Sequence, residues 1–215
     1  MKVSPAKENI LRRVRHALSQ PVQLPFPQAE GNQPLFQPQD QSLDICFAQQ
    51  FTKLLGKFIF CATDAELGEN LRGLCQARSW NQVACPELEL MHVLQSYELP
   101  FLSDPASINT CDAAITTCEC LIARTGSVVV SSSLPSGRTG SIFPPVHIVV
   151  AYLNQLVWDI RDGLRLVREK YSGSLPSMIS LQTGPSRTAD IEKTLVVGVH
   201  GPAEVYVMLM DHQQL

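Results

Sequence analysis

Two stretches of the chain gather hydroxyl, glycine and arginine residues directly after strand-like segments. The first is Ser131-Ser132-Ser133-Leu134-Pro135-Ser136-Gly137-Arg138-Thr139-Gly140-Ser141, and the second is Gln182-Thr183-Gly184-Pro185-Ser186-Arg187-Thr188-Ala189-Asp190-Ile191-Glu192. These ingredients suit an anion, because glycine admits close backbone approach, hydroxyls and exposed amides donate hydrogen bonds, and a guanidinium grips a carboxylate or phosphate with two parallel bonds. Arg138, Thr139, Ser141, Gly184, Ser186, Arg187 and Thr188 are therefore the candidate ligand-binding residues, for a small carboxylate or a phosphate-bearing molecule. If Thr188 caps a short helix through Leu195, the free amides of its first turn add to that anion site. Asp190 and Glu192 then have two readings: favourable partners of the helix dipole, or carboxylates paired with Arg187 or Arg138. Together with His200, in Val199-His200-Gly201-Pro202, they are the candidate catalytic residues. A histidine at a strand entrance is either a titratable acid or base or a side chain that hydrogen-bonds a loop. His147, among apolar neighbours after Pro144-Pro145, reads as a core or pocket-wall histidine rather than a metal ligand.

The elements that must hold these loops follow from the apolar periodicity. Ser4-Pro5 opens an amphipathic helix to about Ser19, with a basic polar face, and a Pro- and Gln-rich stretch to residue 39 reads as a linker. From residue 40 to 215 helical and strand-like segments alternate, the pattern of an α/β domain around a parallel sheet. Strands are expected near Phe58–Ala62, Gln82–Cys85, Ala113–Ile115, Ser127–Ser131, Val146–Tyr152, Met178–Leu181 and Val205–Met210. Helices are expected over Leu43–Leu55, Asp64–Ala77 and Gln155–Tyr171, the last with Gly163 packed closely on a neighbour. In a parallel sheet the loops at the carboxyl ends of the strands line the ligand crevice, so two Arg-Thr loops placed there would face one pocket.

Composition narrows the function classes. The 215 residues carry 17 Lys and Arg against 20 Asp and Glu, which argues against a phosphate-tracking surface and hence a nucleic-acid partner. No run approaches the ~20 apolar residues of a membrane span, and the basic N-terminus lacks the form of a secretory leader, so a cytosolic protein is expected. Seven cysteines, none in a Cys-x-x-Cys pair, read as free buried thiols, and the spacing of Cys111, Cys118 and Cys120 fits neither ferredoxin pattern, so no metal is expected. A Gly-x-Gly-x-x-Gly turn, a phosphate loop, a Gly-x-Ser-x-Gly elbow and His-Glu-x-x-His are all absent from the sequence.

Residues 183–202, Thr-Gly-Pro-Ser-Arg-Thr-Ala-Asp-Ile-Glu-Lys-Thr-Leu-Val-Val-Gly-Val-His-Gly-Pro, closely resemble the signature of the lactate-utilisation protein C family, whose core is the LUD domain. Ile122-Ala123-Arg124-Thr125-Gly126-Ser127-Val128-Val129-Val130 is similar to the family's strand entry, and Ser141-Ile142-Phe143-Pro144-Pro145-Val146-His147-Ile148 to its Pro-Pro-x-His strand. The likeness is strong over residues 111–210 and weak before them, and Arg124 stands where the family often has an acidic residue. The resemblance implies a three-layer α/β/α fold like that of the sugar-phosphate isomerases and coenzyme A transferases. It further implies a non-redox part in oxidising L-lactate to pyruvate, with iron-sulfur clusters carried by partner subunits and no cofactor in this chain. A stand-alone enzyme acting on a phosphorylated or coenzyme A-linked small molecule is the alternative.

Overall fold

The computed structural model describes residues 5–19, 41–102, 104–188, 196–198 and 200–211. The chain divides into two units, Met1–Pro38 and Gln39–Leu215. In the first, α1 (Pro5–Leu18) carries Ile10, Val14 and Leu18 exposed at four-residue spacing, with Glu8 in its first turn and Arg15 and His16 in its last. The Pro-rich linker lies outside the described residues.

The second unit is built on a six-stranded, wholly parallel sheet. Its strands are β1 (Lys57–Cys61), β2 (Val83–Ala84), β3 (Phe101–Leu102), β4 (Ala113–Thr116), β7 (Val146–Tyr152) and β12 (Glu204–Met210), in the order β1-β12-β7-β4-β2-β3. The central strands are apolar on both faces, as doubly covered parallel strands require. On one face Ile115, Ile148, Val150, Met208 and Met210 pack against Leu67, Leu71 and Cys75 of α3 (Asp64–Arg78) and Leu90 and Leu94 of α4 (Leu88–Leu94). On the other, Val149, Ala151, Val205, Val207 and Leu209 pack against Cys46, Phe47 and Phe51 of α2 (Leu43–Lys53).

Beside α2 lies a second sheet that sequence periodicity does not separate from the first. It joins β5 (Cys120–Ile122), β6 (Ser127–Ser131), β8 (Leu156–Val157) and β9 (Ile179–Gln182) in the order β8-β5-β6-β9, with β6 antiparallel to both β5 and β9. Leu121, Val128 and Val130 face the main sheet, while Cys120, Ile122 and Val129 face Val167 of α5 (Ile160–Lys170). The α/β class holds, and the outer layer on this side is sheet plus helix. Two expected strands, Ser127–Ser131 and Met178–Leu181, thus belong to this mixed sheet, because a β-branched run reveals burial and not its pairing partner.

The helix expected from Gln155 begins instead at Ile160. Asp159 caps it, its carboxylate accepting from the Arg161 amide at 3.2 Å while Asp162 reaches back to the Asp159 amide, which closes a capping box. Arg124 completes this joint: its Nε donates to Asp159 Oδ2 at 2.6 Å. Close packing at Gly163 is real, since a Cβ there would lie 3.1 Å from Cys120 Sγ. Asp159→Ala removes cap and ion-pair partner together and is expected to lower stability by about 1–2 kcal/mol, measured by urea unfolding.

Candidate functional site

The carboxyl ends of the parallel strands open into a cleft of about 750 Å³. Asp64 follows β1 at the start of α3, Pro86 and Glu87 follow β2, Thr117 follows β4 and Tyr152 ends β7. The opposite wall comes from the second sheet side, with Ser133, Leu134 and Pro135 after β6 and Lys170 and Tyr171 at the end of α5. This is the position where open α/β sheets usually take their ligands.

Two buried carboxyl groups organise the walls. Glu87 is only 6% exposed, accepts from the Thr117 amide at 3.4 Å, and has its pKa raised chiefly by burial. A carboxyl so shifted retains its proton to higher pH and can donate a hydrogen bond into the cleft. Glu119, between Cys118 and Cys120, accepts from Ser131 Oγ at 2.5 Å, Tyr171 Oη at 2.9 Å and Lys170 Nζ at 2.8 Å. Burial alone would lower the Lys170 pKa, but the bond and charge of Glu119 outweigh it and raise it. The Tyr171 phenol is raised by burial and by the same carboxylate. Lys170 is therefore a fixed ammonium on the cleft wall whose charge Glu119 already balances. Asp64, Glu87 and Glu89 line the facing wall, so the cleft does not resemble an anion trap.

The two arginine loops do not meet here. They leave an antiparallel pair, β6 and β9, and so emerge from opposite ends of one ladder. Arg138 is exposed and donates to Ser177 Oγ at 2.8 Å, beside the start of β9. Arg187 is exposed beyond the end of β9, in a two-residue strand β10 (Arg187–Thr188) paired with β11 (Val196–Val197). The expected helix cap at Thr188 is thus a strand residue. Residues 189–195, which include Asp190 and Glu192, lie outside the described set.

The second loop also sits at the wrong end of the main sheet for the expected crevice. The Ser186 amide donates to the Pro202 carbonyl at 2.9 Å, two residues before β12 begins, and the Ala203 amide donates to the Pro145 carbonyl at 2.8 Å, just before β7. Exposed His200 belongs to the same amino-end cluster. Gly184 is structural there: its φ is +83° and a Cβ would lie 2.5 Å from the Leu54 carbonyl oxygen, just upstream of β1. Gly184→Ala should therefore destabilise by more than about 1 kcal/mol, seen as a lower calorimetric melting temperature. In the first loop, exposed Thr139 lies in a tight turn, its carbonyl accepting from the Ile142 and Phe143 amides, and Ser141 turns inward, its carbonyl accepting from Gln182 Nε2 at 2.8 Å. Ser133–Pro135, passed over in the sequence as hydroxyl-rich loop, is the part that reaches the cleft.

Residues 105–210 match the LUD domain. Lactate utilization protein C of Anoxybacillus flavithermus is 29% identical over 93% of this chain and 94% of its own length. The proteins of that name from Shouchella clausii and Bacillus subtilis are 38% and 36% identical, each over 46% of this chain. The matched part spans less than half of those two relatives, 44% and 43% of their lengths. A crystal structure of a DUF162 family protein from Deinococcus radiodurans shares the fold, with a TM-score of 0.56 at 20% identity over 78% of this chain and 96% of that one. Among the described residues no helix is long and apolar enough to cross a membrane.

The three cysteines within residues 105–210 are not gathered as iron-sulfur ligands would be. Cys111, Cys118 and Cys120 are buried in three different apolar clusters, and burial raises the pKa of each thiol. Cluster ligands are thiolates converging on one point, which this arrangement opposes.

Proposed function

We propose that this LUD-domain protein is a cytoplasmic, non-redox subunit of a lactate utilisation system, supporting oxidation of L-lactate to pyruvate beside partners that hold iron-sulfur clusters. The observation that carries this reading is the relationship to the Anoxybacillus flavithermus lactate utilization protein C, which extends over nearly the whole of both chains. The oxidation releases two electrons and two protons, and the buried thiols of this chain suit neither storing nor passing the electrons. Its contribution is the cleft, where Glu87 offers a proton-bearing carboxyl near a fixed ammonium. Arg138 and Arg187 act separately and do not form one carboxylate clamp.

A second reading, an enzyme for a phosphorylated or coenzyme A-linked molecule, is favoured by one observation, a cleft far larger than lactate requires. The relationship to lactate utilization protein C over nearly the whole of both chains weighs against it. Reconstitution separates the two. The purified partners should show lactate-dependent dye reduction only when this chain is added, and iron should co-purify with a tagged chain. Equal dye reduction without it, together with thermal stabilisation by acyl coenzyme A or sugar phosphates alone, would support the second reading.

A further inference from the structure

Outside the cleft, the polar group most at odds with its surroundings is His147, which has no exposed surface and lies in the middle layer of the main sheet. Its Nε2 is 2.8 Å from Thr116 Oγ1. The Thr116 hydroxyl donates to the Thr117 carbonyl oxygen at 3.0 Å, so its one hydrogen is committed and the imidazole must be the donor to Thr116. Burial drives the pKa of the ring down to about 4 against the opposing influence of Gln182, so at neutral pH the ring carries one proton, on Nε2. Nδ1 is then a bare acceptor: the Gln182 side chain lies close enough to the ring to oppose the shift, yet Nδ1 makes no well-formed hydrogen bond among the described residues.

Gln182 presents the matching problem from β9. Its Nε2 donates to the Ser141 carbonyl, which sets the amide orientation and leaves Oε1 a second buried acceptor without a partner. Turning the amide round to satisfy His147 directly would set Oε1 against the Ser141 carbonyl, acceptor on acceptor. The hydroxyl of Ser141 itself is the third buried polar atom without a partner. Two acceptors and one hydroxyl complement a small molecule that donates twice and accepts once. Buried groups of this kind are ordinarily satisfied by about three hydrogen bonds to a single ordered water.

We propose that His147, Gln182 and Ser141 bind one internal water molecule, which donates to His147 Nδ1 and Gln182 Oε1 and accepts from Ser141 Oγ. The site gathers the three segments that the sequence marks out separately: the first arginine loop, the Pro-Pro-x-His strand and the entry to the second loop. It pins these loops to one another from inside the protein. It also lies next to the cleft floor, because His147 holds Thr116 while the Thr117 amide binds Glu87.

A high-resolution crystal structure of the full chain should show a solvent peak within hydrogen-bond distance of both His147 Nδ1 and Gln182 Oε1. Imidazole nitrogen NMR at neutral pH should show Nε2 protonated and Nδ1 unprotonated, with a water cross-peak to the His147 ring that weakens in Ser141→Ala. A protonated Nδ1, or density that joins Gln182 Nε2 to Nδ1 with no solvent between them, would overturn the proposal.

Discussion

Lys170→Met is expected to lower the unfolding free energy by about 2–4 kcal/mol, whereas Glu119→Gln should lower it by only about 1–2 kcal/mol. The asymmetry follows from burial. Glu119 is fully buried and Lys170 is 47% exposed, so removing the lysine strands a carboxylate in the core while removing the carboxylate leaves an ammonium that water can reach. The glutamine retains acceptors for Ser131 and Tyr171, which now bond the carboxylate. The loss is set below that of a pair buried on both sides because Lys170 is already half in solvent. Pairing Lys170→Met with Glu119→Leu should recover part of the loss. Urea unfolding of the three variants provides the measurement, and equal losses for the two single variants would show that Glu119 is not held as a charged acceptor.

Acid should destabilise the fold through His147. An imidazole with a pKa of about 4 in the folded chain and 6.5 in the unfolded one adds stability that is fully present above pH 6.5 and disappears as the pH falls to 4. Over that interval the unfolded chain binds a proton that the folded chain excludes, which amounts to roughly 3 kcal/mol at about 1.4 kcal/mol per pH unit. Other groups titrate nearby. Burial would raise the carboxyls of Asp159 and Glu204, but Arg124 and Lys57 outweigh it and hold both below the ordinary range, so they too lose stability in acid. Glu87, raised by burial, works in the opposite sense. Comparing wild type with His147→Gln isolates the imidazole: the variant should lose less stability between pH 6.5 and 4. Parallel curves would mean that His147 is solvated or already charged.

The elements that were legible in the sequence are those whose pattern is set locally. Ser127–Ser131 and Val146–Tyr152 are strands with the expected bounds, because unbroken β-branched runs leave no other way to bury every residue. What local pattern does not carry is pairing. Ser127–Ser131 and Val146–Tyr152 look alike as sequence, yet one lies in an antiparallel ladder and the other at the centre of a parallel sheet. That single difference sends the two arginine loops to opposite ends of β6 and β9 and removes their shared pocket.

The cleft was hidden for a related reason. Asp64, Glu87, Thr117, Ser133, Tyr152 and Lys170 come from six separate places in the chain, and only the strand order brings them together. One signal was available: Glu119 stands between Cys118 and the apolar run Cys120–Ile122, and a charge buried at the entrance of such a strand requires partners. The LUD resemblance, by contrast, rested chiefly on residues 183–202, with support from 122–130 and 141–148, and most of 183–202 supports the amino end of the sheet or lies outside the described residues.

Lactate-dependent dye reduction by the reconstituted system, measured with three variants of this chain, tests most directly whether function resides in the cleft. Ser133→Trp, at an exposed position on the cleft wall, should abolish most of the activity without loss of folding, while Arg138→Ala and Arg187→Ala should each retain most of it. Full activity with Ser133→Trp, and its loss in either arginine variant, would contradict the account and return the site to the loops.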